Sequence, residues 1–325
     1  MGKIRAAVVG AGYLGRFHAQ KYARLPGCEL VGVVDIDAAT AERVAAETGT
    51  RGWRDYRELL GRVDAVSIVT PTPTHCEIAL AFIEAGAHVL VEKPVTESVA
   101  QAQRLVTAAQ QRKRVLQVGH LERFNPAILA AEGLLSAPRF IECQRLAPFR
   151  ERGTDVDVVL DLMIHDIDLL QMIVRGPVEV LDAIGTPVFS GEIDIANARL
   201  RFEGGCVANV TASRVSLKTE RKLRVFCDDA YLSIDLQQKI LTVIRKRPAA
   251  GASALTAADA AGTAGTAGSL PVQIEEQSFD PGDALLAEIE AFLAAVRGER
   301  AVLVSGEHGL RALQTAIAIT SRVRA

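Results

Sequence analysis

The sequence opens with an apolar run, Ile4–Val9, that stops at Gly10-Ala11-Gly12-Tyr13-Leu14-Gly15. Leu14, Phe17, Tyr22 and Leu25 follow at helical spacing, and a second apolar run, Leu30–Val34, ends in Asp35, twenty residues after Gly15. Strand, glycine turn, helix, strand and acid in that order constrain the fold more than any other feature of the chain. Gly10 allows a tight turn, Gly12 lets a pyrophosphate approach the backbone, and Gly15 lets helix and strand pack closely. The free N–H groups at the helix start favour an anion. Asp35 can accept from a ribose diol and repels a 2′-phosphate. Ile36 beside it brings no cation, so the pattern predicts NAD rather than NADP. The plainer reading is the strand-to-helix turn of any α/β protein.

Further continuous Val/Ile/Leu-rich runs lie at Ala65–Thr70, His88–Val91 and Val115–Val118, with helical patterns at Ala38–Thr48, Thr74–Ala85 and Val99–Arg112. Continuous rather than alternating runs belong to a parallel sheet covered on both faces, so residues 1–119 are expected to form a doubly wound dinucleotide-binding domain. The period then changes. Strand-like segments at Arg139–Ala147, Val178–Pro187, Ala196–Phe202, Cys206–Arg214, Arg221–Cys227, Tyr231–Asp235 and Lys239–Arg245 include several that alternate apolar and polar residues. Residues 120–325 are therefore expected to be an α+β domain around a mostly antiparallel open sheet. Helical patterns at Asn125–Leu135, Asp157–Val174, Ala284–Arg297 and Gly306–Arg322, the last capped by Ser305, would cover one face. The other face stays apolar enough to imply a homodimer or homotetramer. Residues 249–269, rich in Ala, Gly, Thr and Ser, read as a flexible loop.

Charge and cysteine usage narrow the partners. The formal charge is −2 with no basic stripe, which argues against nucleic acid and an anionic membrane. Five scattered cysteines fit a reducing compartment, and a strand that begins at the fourth residue leaves no room for a signal peptide. A cytoplasmic location is the expectation. The most apolar long stretch, Val156–Val174, carries Asp157, Asp161, His165, Asp166 and Asp168 and is no membrane span.

Three constellations can carry chemistry. The loop Thr70-Pro71-Thr72-Pro73-Thr74-His75 follows a sheet strand, where doubly wound sheets bind ligands; its threonines can instead serve only as caps. Glu92-Lys93-Pro94 follows the next strand and places a lysine where a nicotinamide would lie. Such a lysine can donate to a reacting oxygen, although a lone lysine is more often solvated. Asp157, Asp161, His165 and Asp168 are spaced four, four and three apart, one stripe of a regular helix. A polar stripe on an apolar helix is costly to bury, so it is expected to line a wet cleft, with Asp161 orienting His165. Metal ligation is disfavoured because no second histidine stands at short spacing. His120, Arg123 and Asn125 lie where the first sheet ends; Arg123 and Asn125 can meet a ligand phosphate or hydroxyl, although each alone is more often a structural hydrogen-bonder. Arg150 and Arg152 ahead of the helix can reach a diphosphate or stay solvated. No hydrolase elbow or P-loop is present.

Together these motifs resemble the glucose–fructose oxidoreductase / inositol dehydrogenase / MocA family. The shared elements are the glycine turn, the Thr-Pro loop, Glu92-Lys93-Pro94 and Asp161-x-x-x-His165, all in order. The resemblance implies an NAD-dependent oxidoreductase in which Lys93, Asp161 and His165 face the substrate beside the nicotinamide. It also implies an oligomer interface on the open sheet. Many members carry glycines before and after the aspartate; here Asp155–Leu160 has none and Met163 stands two before His165. In this the chain is similar to a bacterial subgroup that oxidises C3 of UDP-N-acetylglucosamine for lipid A and surface sugars. The implied substrate is a sugar or nucleotide sugar; His120, Arg123, Asn125, Arg150 and Asp168 are the candidate substrate-binding residues, and Arg123, Arg150 and Arg152 could reach a diphosphate. A free-polyol dehydrogenase and a non-catalytic NAD-binding regulator remain the alternatives.

Overall fold

The computed structural model describes residues 2–150, 156–246 and 272–324; the expected loop 249–269, Arg152 and Asp155 lie outside them. In chain order the first part runs β1 (Ile4–Val9), α1 (Tyr13–Arg24), β2 (Cys28–Val34), α2 (Ala38–Thr48), β3 (Arg51–Trp53), β4 (Ala65–Ile68), α3 (His75–Glu84), β5 (His88–Glu92), α4 (Val99–Arg112) and β6 (Leu116–Gly119). The six strands are parallel, in the order β3-β2-β1-β4-β5-β6. The chain winds outward from β1 in both directions, so a ligand crevice opens beyond the strand ends between β1 and β4. Ala6, Ala7, Val8, Val66, Ile68, Val89 and Val91 are fully buried, which is why these runs carry no polar alternation. The short edge strand β3 has no such signature and was not anticipated.

The second part continues with α5 (Pro126–Ala131), β7 (Pro138–Leu146), α6 (Ile164–Ile173), β8 (Val178–Thr186), β9 (Ile195–Phe202), β10 (Val207–Ser213), β11 (Glu220–Cys227), β12 (Ala230–Asp235), β13 (Ile240–Lys246), β14 (Val272–Ser278), α7 (Ala284–Val296) and α8 (Gly306–Val323). The eight strands lie in the order β14-β13-β12-β11-β7-β10-β9-β8 and pair antiparallel except for β7 with β10. The mostly antiparallel α+β architecture agrees with the sequence reading. One helix goes elsewhere. The pattern at 284–297 was expected to cover this sheet, but Ile289, Phe292 and Leu293 of α7 pack with Ala6, Val8 and Leu90 of the first sheet. Helix α8 serves both bodies: Leu310 and Leu313 join the first core, Ala312, Ala316 and Ile319 the second. Among the described residues no helix is long and apolar enough to cross a membrane.

The open face of the second sheet carries both apolar and polar rows. Cross-strand partners Val207, Phe140, Phe226, Tyr231, Ile244 and Ile274 form one apolar row. The row two residues along is polar, with Glu142 opposite Arg224 and Asn209.

Candidate active site

The glycine turn divides into two jobs. Gly10 has φ +93°, and a Cβ there would lie 2.5 Å from the Val69 carbonyl oxygen. A Cβ on Gly15 would lie 1.8 Å from the Gly10 oxygen, so these two glycines are demanded by the protein's own packing. A Cβ on Gly12 would meet nothing within 4 Å, and its φ of −64° suits any residue. Its bare backbone serves a space that the protein does not fill. Helix α1 starts beside that space with no side-chain cap and no acid in its first turn. The positive end of the helix there favours an anion. Asp35 is fastened to the same turn: its Oδ2 accepts from Ala11 N at 2.8 Å and its Oδ1 from Asp37 N at 3.0 Å. Exposed Ile36 and Tyr13 flank the turn, with Leu14 in the first helical turn. Arg16 and Arg43, the basic residues at hand, both pair with Glu47. These residues fit a dinucleotide with an unphosphorylated 2′-hydroxyl.

Beyond β4, Thr70, Pro71 and Thr72 form an accessible rim stiffened by Thr74 Oγ1, which lies 2.7 Å from Thr70 Oγ1 and 2.8 Å from the Pro71 oxygen. His75 does not join that rim. It is buried, with one ring nitrogen 2.8 Å from the Thr70 oxygen and the other 3.0 Å from the Pro94 oxygen, so it clamps two loops together rather than touching a cofactor. Glu92 is likewise turned inward, its carboxylate over Gly119 and 3.4 Å from His18 Nε2.

Lys93 points the other way. The Lys93–Pro94 peptide is cis, and Lys93 Nζ donates to the Asp161 backbone oxygen at 2.6 Å and to Asp161 Oδ1 at 3.2 Å. Asp161 sits in a π turn, Val159–Met163, that precedes α6. Such a turn widens the helix locally, and the lysine takes a carbonyl at that widened point. The π turn also overturns the expected single stripe. Asp157 is buried, capping Leu160 N and accepting from Thr320 Oγ1. Asp168 is buried and binds Arg123 through two hydrogen bonds of 2.6 and 2.7 Å. Only Asp161 and His165 remain toward the cleft.

Their relation differs from the expectation too. The Asp161 carboxylate lies on Lys93, and His165 Nδ1 is buried with no hydrogen-bond partner. Asp161 therefore does not orient the ring. His165 stands edge-to-face with His120 at 6.1 Å. Burial, then the charges of Lys93, Arg145, His120 and Arg221, hold the His165 imidazole well below its usual range. It is therefore neutral at pH 7. His120 is buried, both ring nitrogens lack partners, and burial holds it down as well, against an opposing pull from Asp168.

The residues expected at the substrate separate accordingly. Arg123 is 5% exposed and spent on Asp168, so neither is available to a diphosphate or hydroxyl. Asn125 caps α5 through Ala127 N and donates to the Leu236 oxygen, a structural duty. Arg150 is exposed at the edge of the described residues. Arg145, not anticipated, binds Asp166 through two 2.8 Å hydrogen bonds and Glu122 at 3.0 Å, and its charge acts on His165. The only local signal for that pair was Asp166 beside His165. His18, read as an ordinary histidine, is fully buried with Nδ1 3.1 Å from Ser67 Oγ; its position three residues after Gly15, on the same helix face, was the available clue.

Two family models match the chain. One, described as an oxidoreductase family with an NAD-binding Rossmann fold, covers residues 4–120; the GFO/IDH/MocA C-terminal domain covers residues 129–233. The UDP-N-acetylglucosamine 3-dehydrogenase of Acidithiobacillus ferrooxidans is 40% identical over 324 residues, 99% of this chain and 98% of that protein. A solved structure of that organism's enzyme of the same name aligns with a TM-score of 0.87 at 38% identity, over 99% of this chain and 98% of that one. The scyllo-inositol 2-dehydrogenase (NAD(+)) of Bacillus subtilis is 31% identical over 233 residues, 66% of this chain and 68% of that protein.

Proposed function

The chain belongs to the GFO/IDH/MocA oxidoreductase family, and on that premise we propose that it oxidises a ring hydroxyl of a nucleotide sugar, C3 of UDP-N-acetylglucosamine, with NAD. The observation that carries this reading is the pairing of Lys93 with Asp161 beside a neutral, partner-free His165, at the carboxyl end of the parallel sheet. End-to-end identity with the Acidithiobacillus enzyme supports the substrate.

NAD, when bound, supplies the hydride acceptor. The α1 N-terminus beside Gly12 would hold its diphosphate, and Asp35 would accept from its ribose diol. Lys93 Nζ has three donors, two of them on Asp161, and offers the third to the substrate oxygen. His165 accepts the hydroxyl proton; burial keeps the ring neutral beforehand and opposes the imidazolium that forms. Arg145, fixed by Asp166 and Glu122, adds to the positive field that keeps the ring neutral. Arg150 is the exposed cation for a substrate diphosphate.

The test is NADH formation by purified protein against UDP-N-acetylglucosamine, other UDP-sugars, free N-acetylglucosamine and inositols. Turnover confined to UDP-N-acetylhexosamines is the expected result. Equal turnover of a free polyol refutes the nucleotide-sugar reading and favours the inositol dehydrogenase relatives. The apolar row on the open sheet supports a homodimer or homotetramer built on that face. Light scattering at micromolar concentration tests this, and Phe226→Glu is expected to lower the mass.

A further inference from the structure

A second polar cluster lies on the inner side of the sheet, behind Lys93. His18 Nδ1 is 3.1 Å from Ser67 Oγ, which is 2.9 Å from Tyr22 Oη. His18 Nε2 is 3.4 Å from Glu92 Oε1. Gln117 on β6 donates to the backbone oxygen of Glu288 on α7 at 3.1 Å. Glu288 is completely buried, and neither of its carboxyl oxygens has a hydrogen-bond partner; the same holds for Glu92 Oε1, Gln117 Oε1 and His18 Nε2. Most of the partner-free buried side-chain atoms among the described residues thus gather here.

A carboxylate buried without a cation or donors is very costly, and none of the groups around Glu288 is a lysine or arginine paired to it. The charged and titratable groups that act on it are the Glu92 carboxylate from β5 and, on the same network, Tyr22 and His18 from α1. Buried polar groups of this kind are commonly bridged by internal water where there is room for it. We propose that Glu288 is a positioning residue for the active site: a neutral carboxylic acid, bridged through enclosed water to Glu92, that fixes the strand end from which Lys93 projects. Burial, then the charge of Glu92, acts in the same direction by pushing the Glu288 carboxyl well above its usual range. A second negative charge at this place would repel Glu92 and shift the segment that aims Lys93 at Asp161. The proposal rests on Lys93 serving the reaction, but the acid itself is tested without substrate.

Glu288→Gln keeps the shape and the donor of the neutral acid; Glu288→Leu keeps only bulk. In the infrared difference spectrum of wild type minus Glu288→Gln, the carbonyl stretch of a protonated carboxylic acid is expected at neutral pH. A group protonated when folded and ionised when unfolded loses stability as pH rises above the ordinary carboxylate value. The Tm lead of Glu288→Gln over wild type is therefore expected to widen between about pH 5 and pH 8. In the holoenzyme, Glu288→Gln keeps kcat within about twofold, whereas Glu288→Leu loses about tenfold or more in kcat with NAD affinity nearly unchanged, as for misplacement of a reacting group. If no sugar is turned over, the modification rate of Lys93 by an amine-directed reagent replaces kcat; it is expected to change in Glu288→Leu and not in Glu288→Gln. Absence of the acid stretch, a pH-independent Tm difference, or a Glu288→Leu protein with wild-type kcat or Lys93 reactivity overturns the proposal.

Discussion

Gly12→Ala separates a glycine kept for a ligand from one kept for the fold. The new methyl meets no protein atom within 4 Å, and the backbone angle suits alanine. Less freedom in the unfolded chain contributes about 0.4–1 kcal/mol of stability. The poorer helix-capping preference of alanine offsets a few tenths or more of that. The unliganded protein should therefore melt within about 2 °C of wild type. Gly15→Ala is the control: its methyl would stand 1.8 Å from the Gly10 oxygen, so the turn must open and the protein loses at least about 1–3 kcal/mol. The assay is thermal melting with and without NAD. At NAD about a hundredfold above Kd, linkage stabilises wild type by about 2.7 kcal/mol, a rise of about 5 °C for a chain of this size. In Gly12→Ala the methyl occupies the diphosphate's approach and the rise disappears while the unliganded Tm stays. A full NAD-dependent rise in Gly12→Ala refutes the reasoning, and so does a large loss of Tm in its absence.

Lys93→Met and His165→Asn should each retain NAD binding and lose about 10²–10⁴-fold in kcat, with Asp161→Asn losing less, as measured by steady-state kinetics at saturating NAD. Arg123→Ala should leave the KM of folded enzyme for a UDP-sugar unchanged but cost about 3–5 kcal/mol in denaturant melts, because it strands Asp168 in the interior. His88 is held down to about 4 by burial and then by Arg114, and its Nδ1 accepts from Val115 N, so it folds neutral. The unfolded histidine binds its proton from about pH 6.5 downward, so stability falls as pH drops from there toward 4, by at most about 1.4 kcal/mol per unit; His88→Gln should flatten that part of the Tm–pH curve.

The strands of the first sheet were legible because burial on both faces leaves continuous apolar runs such as Ala65–Ile68. Strands β3 and β14 lie at sheet edges, and most of β14 is exposed, so neither carries a burial pattern to read. Lys93, Asp161 and His165 stood out because each belongs to a short local motif. What those motifs touch did not, since the contacts join distant residues: Arg123 meets Asp168 45 positions on, and Lys93 meets Asp161 68 positions on. The stripe drawn through Asp157, Asp161, His165 and Asp168 assumed a uniform helical step, and the π turn at Val159–Met163 breaks that assumption. Arg123 looked like a ligand-binding cation because its partner was invisible in sequence.

The course of α7 and α8 makes the molecule less modular than its two sheets suggest. A piece cut after Gly119 would hold all six parallel strands and the glycine turn, yet lack Ile289, Phe292 and Leu293, which close one face, and Val304, Leu310 and Leu313, which close another. The dinucleotide module is finished by α7 and α8. Synthesis in chain order therefore delivers the cofactor site incomplete, and a ligand grip encoded around residues 10–35 becomes secure only when residues 289–313 arrive.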